Sequence, residues 1–143
     1  MVGLVMPRYL RFTVADLNLA IQLDQVYEVG EVPPITKVPR PARHIEGLAN
    51  LRGKTFPVVD MRKRLGIVNP PTGGTRRMII ALPAGRGEPL GFIVDSVGEI
   101  LSVGESEAAA RTPPPWVDER LVAGTVEVHG QPVLLADLVK IME

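Results

Sequence analysis

Apolar and polar residues alternate along most of this chain. Leu10, Phe12 and Val14 are interleaved with Arg11 and Thr13, and Leu17, Leu19, Ile21 and Leu23 with polar or small residues. A period of two marks a strand with one face in a core. Asp16-Leu17-Asn18 is expected to turn between these two strands. Residues 24–29 read as a short helical or irregular turn stopped by Pro33-Pro34, and residues 35–41 as extended chain. Residues 48–51 and 55–59 predict a hairpin around Arg52-Gly53-Lys54, after which Asp60 caps a short helix over 61–65 that Gly66 closes. Further on, 77–82 and 90–94 read as strands about a Gly-rich turn at 84–89, and 100–103 as extended. The 104–116 tract, with three alanines and three prolines in rows, reads as irregular with one helical turn. A second hairpin over 122–135 turns at His129-Gly130-Gln131, and Asp137 caps a terminal helix reaching Met142.

The order of these signals occurs twice. The segment IEGLANLRGKTFPVVDMRKRL at 45–65 matches VAGTVEVHGQPVLLADLVKIM at 122–142 without a gap. Gly47 meets Gly124, Gly53 meets Gly130, Asp60 meets Asp137 and Lys63 meets Lys140, each 77 positions on. Upstream of each, Asp24-Gln25-Val26-Tyr27-Glu28-Val29 answers Asp95-Ser96-Val97-Gly98-Glu99-Ile100. Two matched segments in one order read as a duplicated unit, and the groove between packed copies as the natural binding surface. The expected organisation is one domain built from two related halves, about 9–68 and 76–142, with 70–74 as the seam. Short strands with Gly or Pro turns indicate an all-β fold of small barrels or a sandwich.

Composition narrows the function classes. A chain of 143 residues buries enough surface for one core without staples. It has no cysteine, which removes disulfides, thiol chemistry and Cys-ligated zinc. The N-terminal residues carry no signal-peptide pattern, and no apolar run reaches the ~18 residues of a membrane span; a cytoplasmic protein without direct membrane insertion is expected. The start at Met1 and the finish just past the last helix read as a self-contained protein. Net charge is zero but unevenly spread: residues 37–64 hold eight basic side chains against Glu46 and Asp60, and 88–119 hold seven acidic ones against Arg111. This suits docking to protein surfaces. A nucleic-acid module would be basic overall and richer in aromatics than the 4% here.

Candidate chemistry is sparse. His44 and His129 are the only histidines. Asp60 and Asp137 form a symmetric carboxylate pair, which a helix N-cap explains in both cases. There is no G-x-S-x-G, no phosphate-binding loop and no metal-ligand run. No catalytic, cofactor or metal residue is assigned, and the chain is read as not an enzyme.

Residues 45–53 (IEGLANLRG), followed by Phe56-Pro57-Val58-Val59-Asp60-Met61-Arg62, resemble the I-x-G-x-x-N-L-R-G to P-h-h-D-h-R core of the CheW family of bacterial chemosensory coupling proteins, h being apolar. Gly91-Phe92-Ile93-Val94-Asp95-Ser96-Val97 is similar to that family's G-h-h-V-D-S-V, and Val26-Tyr27-Glu28-Val29 to its V-x-E-h. The resemblance implies two SH3-like five-stranded β-barrel subdomains with short capping helices. It also implies a non-catalytic adaptor, without cofactor, between the cytoplasmic tips of chemoreceptors and the regulatory domain of a CheA-type histidine kinase. Position in the motif points to Val26, Glu28 and Arg52 as receptor or partner contacts, with Met78 and Gly91 behind them; packing is the competing reading for Val26 and Gly91. The alternatives are a divergent regulator lacking kinase coupling, a detached kinase regulatory domain, a small SH3-like nucleic-acid module, or a small enzyme using Asp60 or Asp137.

Overall fold

The computed structural model of the chain describes residues 7–38, 45–68, 74–83, 87–103 and 114–142. The loop read at 70–74, the glycine-rich turn at 84–89, the extended stretch to Pro41 and the 104–116 tract lie wholly or partly outside these residues. The elements run β1 (Arg8–Val14), β2 (Leu17–Gln22), a 3-10 turn (Leu23–Gln25), β3 (Val26–Glu31), β4 (Ile35–Thr36), β5 (Gly47–Leu51), β6 (Lys54–Asp60) and α1 (Met61–Arg64). They continue with β7 (Arg77–Ala81), β8 (Leu90–Val94), β9 (Ser96–Ser102), a 3-10 turn (Glu119–Leu121), β10 (Val122–Val128), β11 (Gln131–Ala136) and α2 (Leu138–Met142).

Two sheets result, ordered β10-β11-β2-β1-β9 and β3-β7-β8-β6-β5-β4. The expected all-β fold of two SH3-like units with short capping helices is present, with two differences: one sheet has five strands but the other six, and neither closes into a barrel. β4 is the added strand, paired antiparallel to β5 through Ile35–Ala49 and Thr36–Leu48. Gly47 makes room for it, since a Cβ there would lie 2.5 Å from the Thr36 carbonyl oxygen.

Each sheet draws on both halves of the sequence. Leaving β4 aside, β1, β2, β3, β5, β6 and α1 stand in the same relations as β7, β8, β9, β10, β11 and α2. Thus β11 runs parallel to β2 as β6 runs parallel to β8, and β1 pairs antiparallel with β9 as β7 does with β3. Even the irregularities recur: a bulge shifts the register between Leu10 and Phe12 against β9, and between Val26 and Glu28 against β7. The hairpins β1–β2 and β7–β8 are exchanged, each completing the sheet formed by the other half.

Alternation along the strands gives each sheet two apolar faces. Phe12, Leu19, Ile21, Ile79, Leu90, Phe92 and Leu134 belong to a central cluster shared by both sheets. On the far face of the first sheet, Ala20, Leu101, Val126, Val133 and Leu135 form a second cluster; on that of the other sheet, Ala49, Phe56, Val58, Met78, Ile80 and Ile93 form a third. The second cluster unites β9 and β10, the two edges of its sheet, so that sheet curls strongly.

Local chemistry explains the turns. Arg52 and Gly53 have φ of 52° and 81°, and His129 and Gly130 have 50° and 78°. Both pairs at the central positions are left-handed, which is the type I′ hairpin that matches strand twist. The first turn comes one residue earlier than expected: Val14 pairs with Leu17, leaving Ala15-Asp16 as the loop and placing Leu17 in β2. The 24–29 segment is a 3-10 turn followed by strand β3, and the extended stretch at 100–103 starts earlier, at Ser96. Asp60 caps α1 by accepting the Arg62 N–H at 3.0 Å, and Asp137 caps α2 through the N–H groups of Val139 and Lys140. Among the described residues no helix is long and apolar enough to cross a membrane.

Candidate functional site

Of the signature charges, Asp60, Arg62 and Asp95 are internal fastenings. Arg62 of α1 donates from Nε and Nη2 to the Asp95 carboxylate, the shortest contact being 2.6 Å. Asp95 also accepts the N–H of Ala15 at 2.7 Å, so one carboxylate holds the β1–β2 turn, the β8–β9 corner and α1 together. Asp60 accepts both Nη groups of Arg76, at 3.1 and 2.7 Å, beside its helix cap. Burial alone would raise both carboxyls. The guanidinium of Arg76 outweighs this at Asp60, and that of Arg62 with the Ala15 N–H at Asp95, holding each below its ordinary 3.8. Arg64 adds a further tie, donating to the carbonyls of Ile141 and Lys140 at the end of α2. Asp60 and Asp137 are both engaged as helix caps. Among the described residues no group of three or more His, Cys, Asp or Glu is arranged to hold a metal ion.

The five residues singled out from the sequence divide by exposure. Glu28 and Arg52 come together at the surface: Nη1 of Arg52 lies 2.6 Å from Oε1 of Glu28, and Nη2 lies 3.5 Å from Oε2. The Arg52 side chain remains 72% exposed. The guanidinium that was expected to reach a carboxylate of a partner is thus already matched by one from β3, which ties that edge strand to the β5–β6 turn. Val26 packs half-buried against the central cluster. Met78 is 2% exposed and Gly91 is buried on β8. A Cβ on Gly91 would stand 3.0 Å from Met78 Sδ and from Phe56 Cε2. Met78 and Gly91 therefore shape the interior of the second sheet and offer no surface of their own.

What the motif positions miss is the surface above that interior. Tyr27, Leu51, Phe56, Ile80, Leu82 and Pro89 line an open groove of about 360 Å³, with Arg52 and Lys54 also on its wall. Tyr27 is 63% exposed and Leu82 43%. Tyr27 projects outward because it is the extra residue of the β3 bulge, between Val26, opposite Ala81, and Glu28, opposite Ile80. The sequence offered only one usable hint, an aromatic between two motif residues.

The chain matches the family model described as CheW-like domain over residues 8–143. It is 30% identical over 129 residues to the chemotaxis protein CheW of Rhizobium meliloti, covering 89% of this chain and 81% of that protein. It is 32% identical over 92 residues to the probable chemotaxis protein CheW of Rhizobium etli, a match that takes in 64% of this chain and 58% of that protein. The crystal structure of scaffolding protein TtCheW from Thermoanaerobacter tengcongensis superimposes with a TM-score of 0.85 at 29% identity, covering 99% of this chain and 90% of that one. Sequence and shape agree: this chain belongs to the CheW-like domain family.

Proposed function

We propose that the protein is a non-catalytic adaptor of a bacterial chemosensory array, coupling the cytoplasmic tip of a chemoreceptor to the regulatory domain of a CheA-type histidine kinase. It works in the cytoplasm, without cofactor, beside the membrane that holds the receptors. The observation that carries this reading is the exposed Glu28–Arg52 pair bordering an apolar groove, on a frame whose other motif charges are spent on caps and internal ion pairs. Relatives named as chemotaxis proteins and a neighbour named as a scaffolding protein support the same direction. Physically, a groove of this kind supplies affinity by apolar burial, and the paired charges set register and reject wrong partners.

The test is capture of partners from native lysate with the Arg52→Glu variant as comparison. The pair is solvent-exposed, so its loss costs no more than about 1 kcal/mol of stability and the variant folds. Recovery of a histidine kinase and a receptor by the wild type, weakened about tenfold or more by the charge reversal, is the expected result. Wild-type recovery of neither partner overturns the coupling role. Undiminished binding by a folded Arg52→Glu protein removes Arg52 from the contact.

A further inference from the structure

The two sheets carry equivalent positions, so each is an internal control for the other. Around the groove, register places Ile80 opposite Gly91 and Arg11 opposite Ala20, and these partners in turn lie against Val58 and Leu135, which are 77 apart. Ile80 and Arg11 are therefore counterparts. By the same registers Tyr27 and Gly98 are the bulged residues, Pro89 corresponds to Asn18, and Arg52 to His129. The two ends nonetheless differ in chemistry. Where the second sheet has Ile80 under a groove, the first has the Arg11 guanidinium, bonded through Nη1 to Asn18 Oδ1 at 2.6 Å and through Nε and Nη2 to Glu99 at 2.9 and 2.8 Å. That guanidinium occupies the place a side chain on residue 98 would need, since a Cβ on Gly98 would stand 2.8 Å from Arg11 Nη2. Thr13 beside it is bonded to the Ser96 hydroxyl.

We propose that, among the described residues, only one of the two equivalent sheet ends keeps an open docking groove, and that Arg11, laid across Gly98 and locked to Glu99 and Asn18, plugs the other. The occupant of the open groove is an apolar side chain of a partner protein with a carboxylate next to it. The apolar walls of Tyr27, Leu82, Ile80 and Pro89 require the first feature. Charge complementarity sets the second: Lys54 stands on the wall beside the Arg52–Glu28 pair and makes no ion pair among the described residues. Arg11 is thereby a specificity-determining residue, which gives the adaptor one acceptor for this chemistry and keeps the two ends from competing for one partner. This deepens the coupling role by naming what the groove accepts, and its test runs without kinase or receptor.

The probe is 8-anilinonaphthalene-1-sulfonate, fused aromatic rings carrying one anionic group, titrated into the full chain with fluorescence and calorimetry as readouts. One site per chain is expected. Leu82→Glu and Tyr27→Glu, both at exposed positions, weaken it about tenfold or more because a carboxylate then faces apolar walls. Lys54→Glu weakens it by a smaller factor. Arg11→Ile combined with Glu99→Gln raises the stoichiometry to two. Gly98→Tyr, which displaces the guanidinium sterically, is the second route to the same opening, and circular dichroism checks that each variant is folded. Unchanged dye affinity in both Leu82→Glu and Tyr27→Glu, or no wild-type site, overturns the groove. A stoichiometry of one in the opened variants overturns the plug. Failure of the coupling role appears separately, as the absence of kinase and receptor in the capture experiment.

Discussion

Gly91 separates packing from contact, and its twin in the other sheet supplies the size of the effect. Gly91→Ala places a methyl 3.0 Å from Met78 Sδ and Phe56 Cε2 and 3.2 Å from Val58 Cγ2, all three buried. Overpacking of this degree costs about 1–3 kcal/mol. Removing a glycine from the unfolded chain returns roughly 0.4–1 kcal/mol, so the net expectation is a loss of about 1–2 kcal/mol. The equivalent position in the first sheet already holds an alanine, Ala20, fully buried. There the counterpart of Phe56 is Val133, which is smaller. Phe56→Val alone opens a cavity and is destabilising by a few kcal/mol, on the order of 2–3. Together the two substitutions recreate the twin's packing, so the double variant loses about 1–2 kcal/mol less than the sum of the singles. Urea unfolding at one pH reads all four corners of the cycle. With a slope of about 1–3 kcal/mol per molar, Gly91→Ala moves the midpoint by roughly 0.5–1 M. Additivity within about 0.5 kcal/mol, or a Gly91→Ala protein as stable as wild type that has lost its partner, refutes the packing role.

Gly47→Ala should be harsher, because its methyl meets the Thr36 carbonyl at 2.5 Å with no flexible end to yield; faster amide exchange in β4 than in β6 would register the detachment, and unchanged exchange would contradict it. Ala15 sits at φ 53°, where a β-carbon is strained, so Ala15→Gly should stabilise by up to about 1 kcal/mol, seen as a higher urea midpoint; a lower one would show the strain absent. Asp60 and Asp95 are held below 3.8, so the stability they supply is full above that pH and lost as pH falls through their folded-state values. The urea midpoint should therefore begin to fall as pH approaches the ordinary 3.8 and keep falling as pH drops through the lower folded-state values. Asp95→Asn should lower the plateau and flatten that dependence, and an equally steep profile would exclude Asp95 as a source.

Features encoded within a few residues were legible. The turns at Arg52-Gly53 and His129-Gly130 and the caps Asp60 and Asp137 each depend on one side chain and its immediate backbone. The recurring order of elements was legible for the same reason, since it follows those local signals. Strand β3 was not, because its bulge puts Val26 and Val29 on the same core three residues apart, a spacing that imitates a helical turn. The start of β2 was missed because alanine gives no sign of a left-handed turn. The site was half legible. Glu28 and Arg52 lie together as surface residues, but a motif position carries identity without exposure, and the burial of Met78 and Gly91 is not readable from it. The Arg62–Asp95 bond and the groove join residues far apart in sequence, which no local pattern encodes.

The exchanged hairpins shape how this chain comes to exist. During synthesis β1–β2 emerges first, yet its flanking neighbours β9 and β11 belong to the far end of the chain. Until those residues leave the ribosome, an early hairpin waits with both edges open, able to recruit a strand from a neighbouring nascent molecule. Such late, long-distance closure slows folding and invites misassembly. By the same logic, two fragments cut between α1 and β7 would each be stranded alone, yet mixed together they should restore one molecule by trading hairpins.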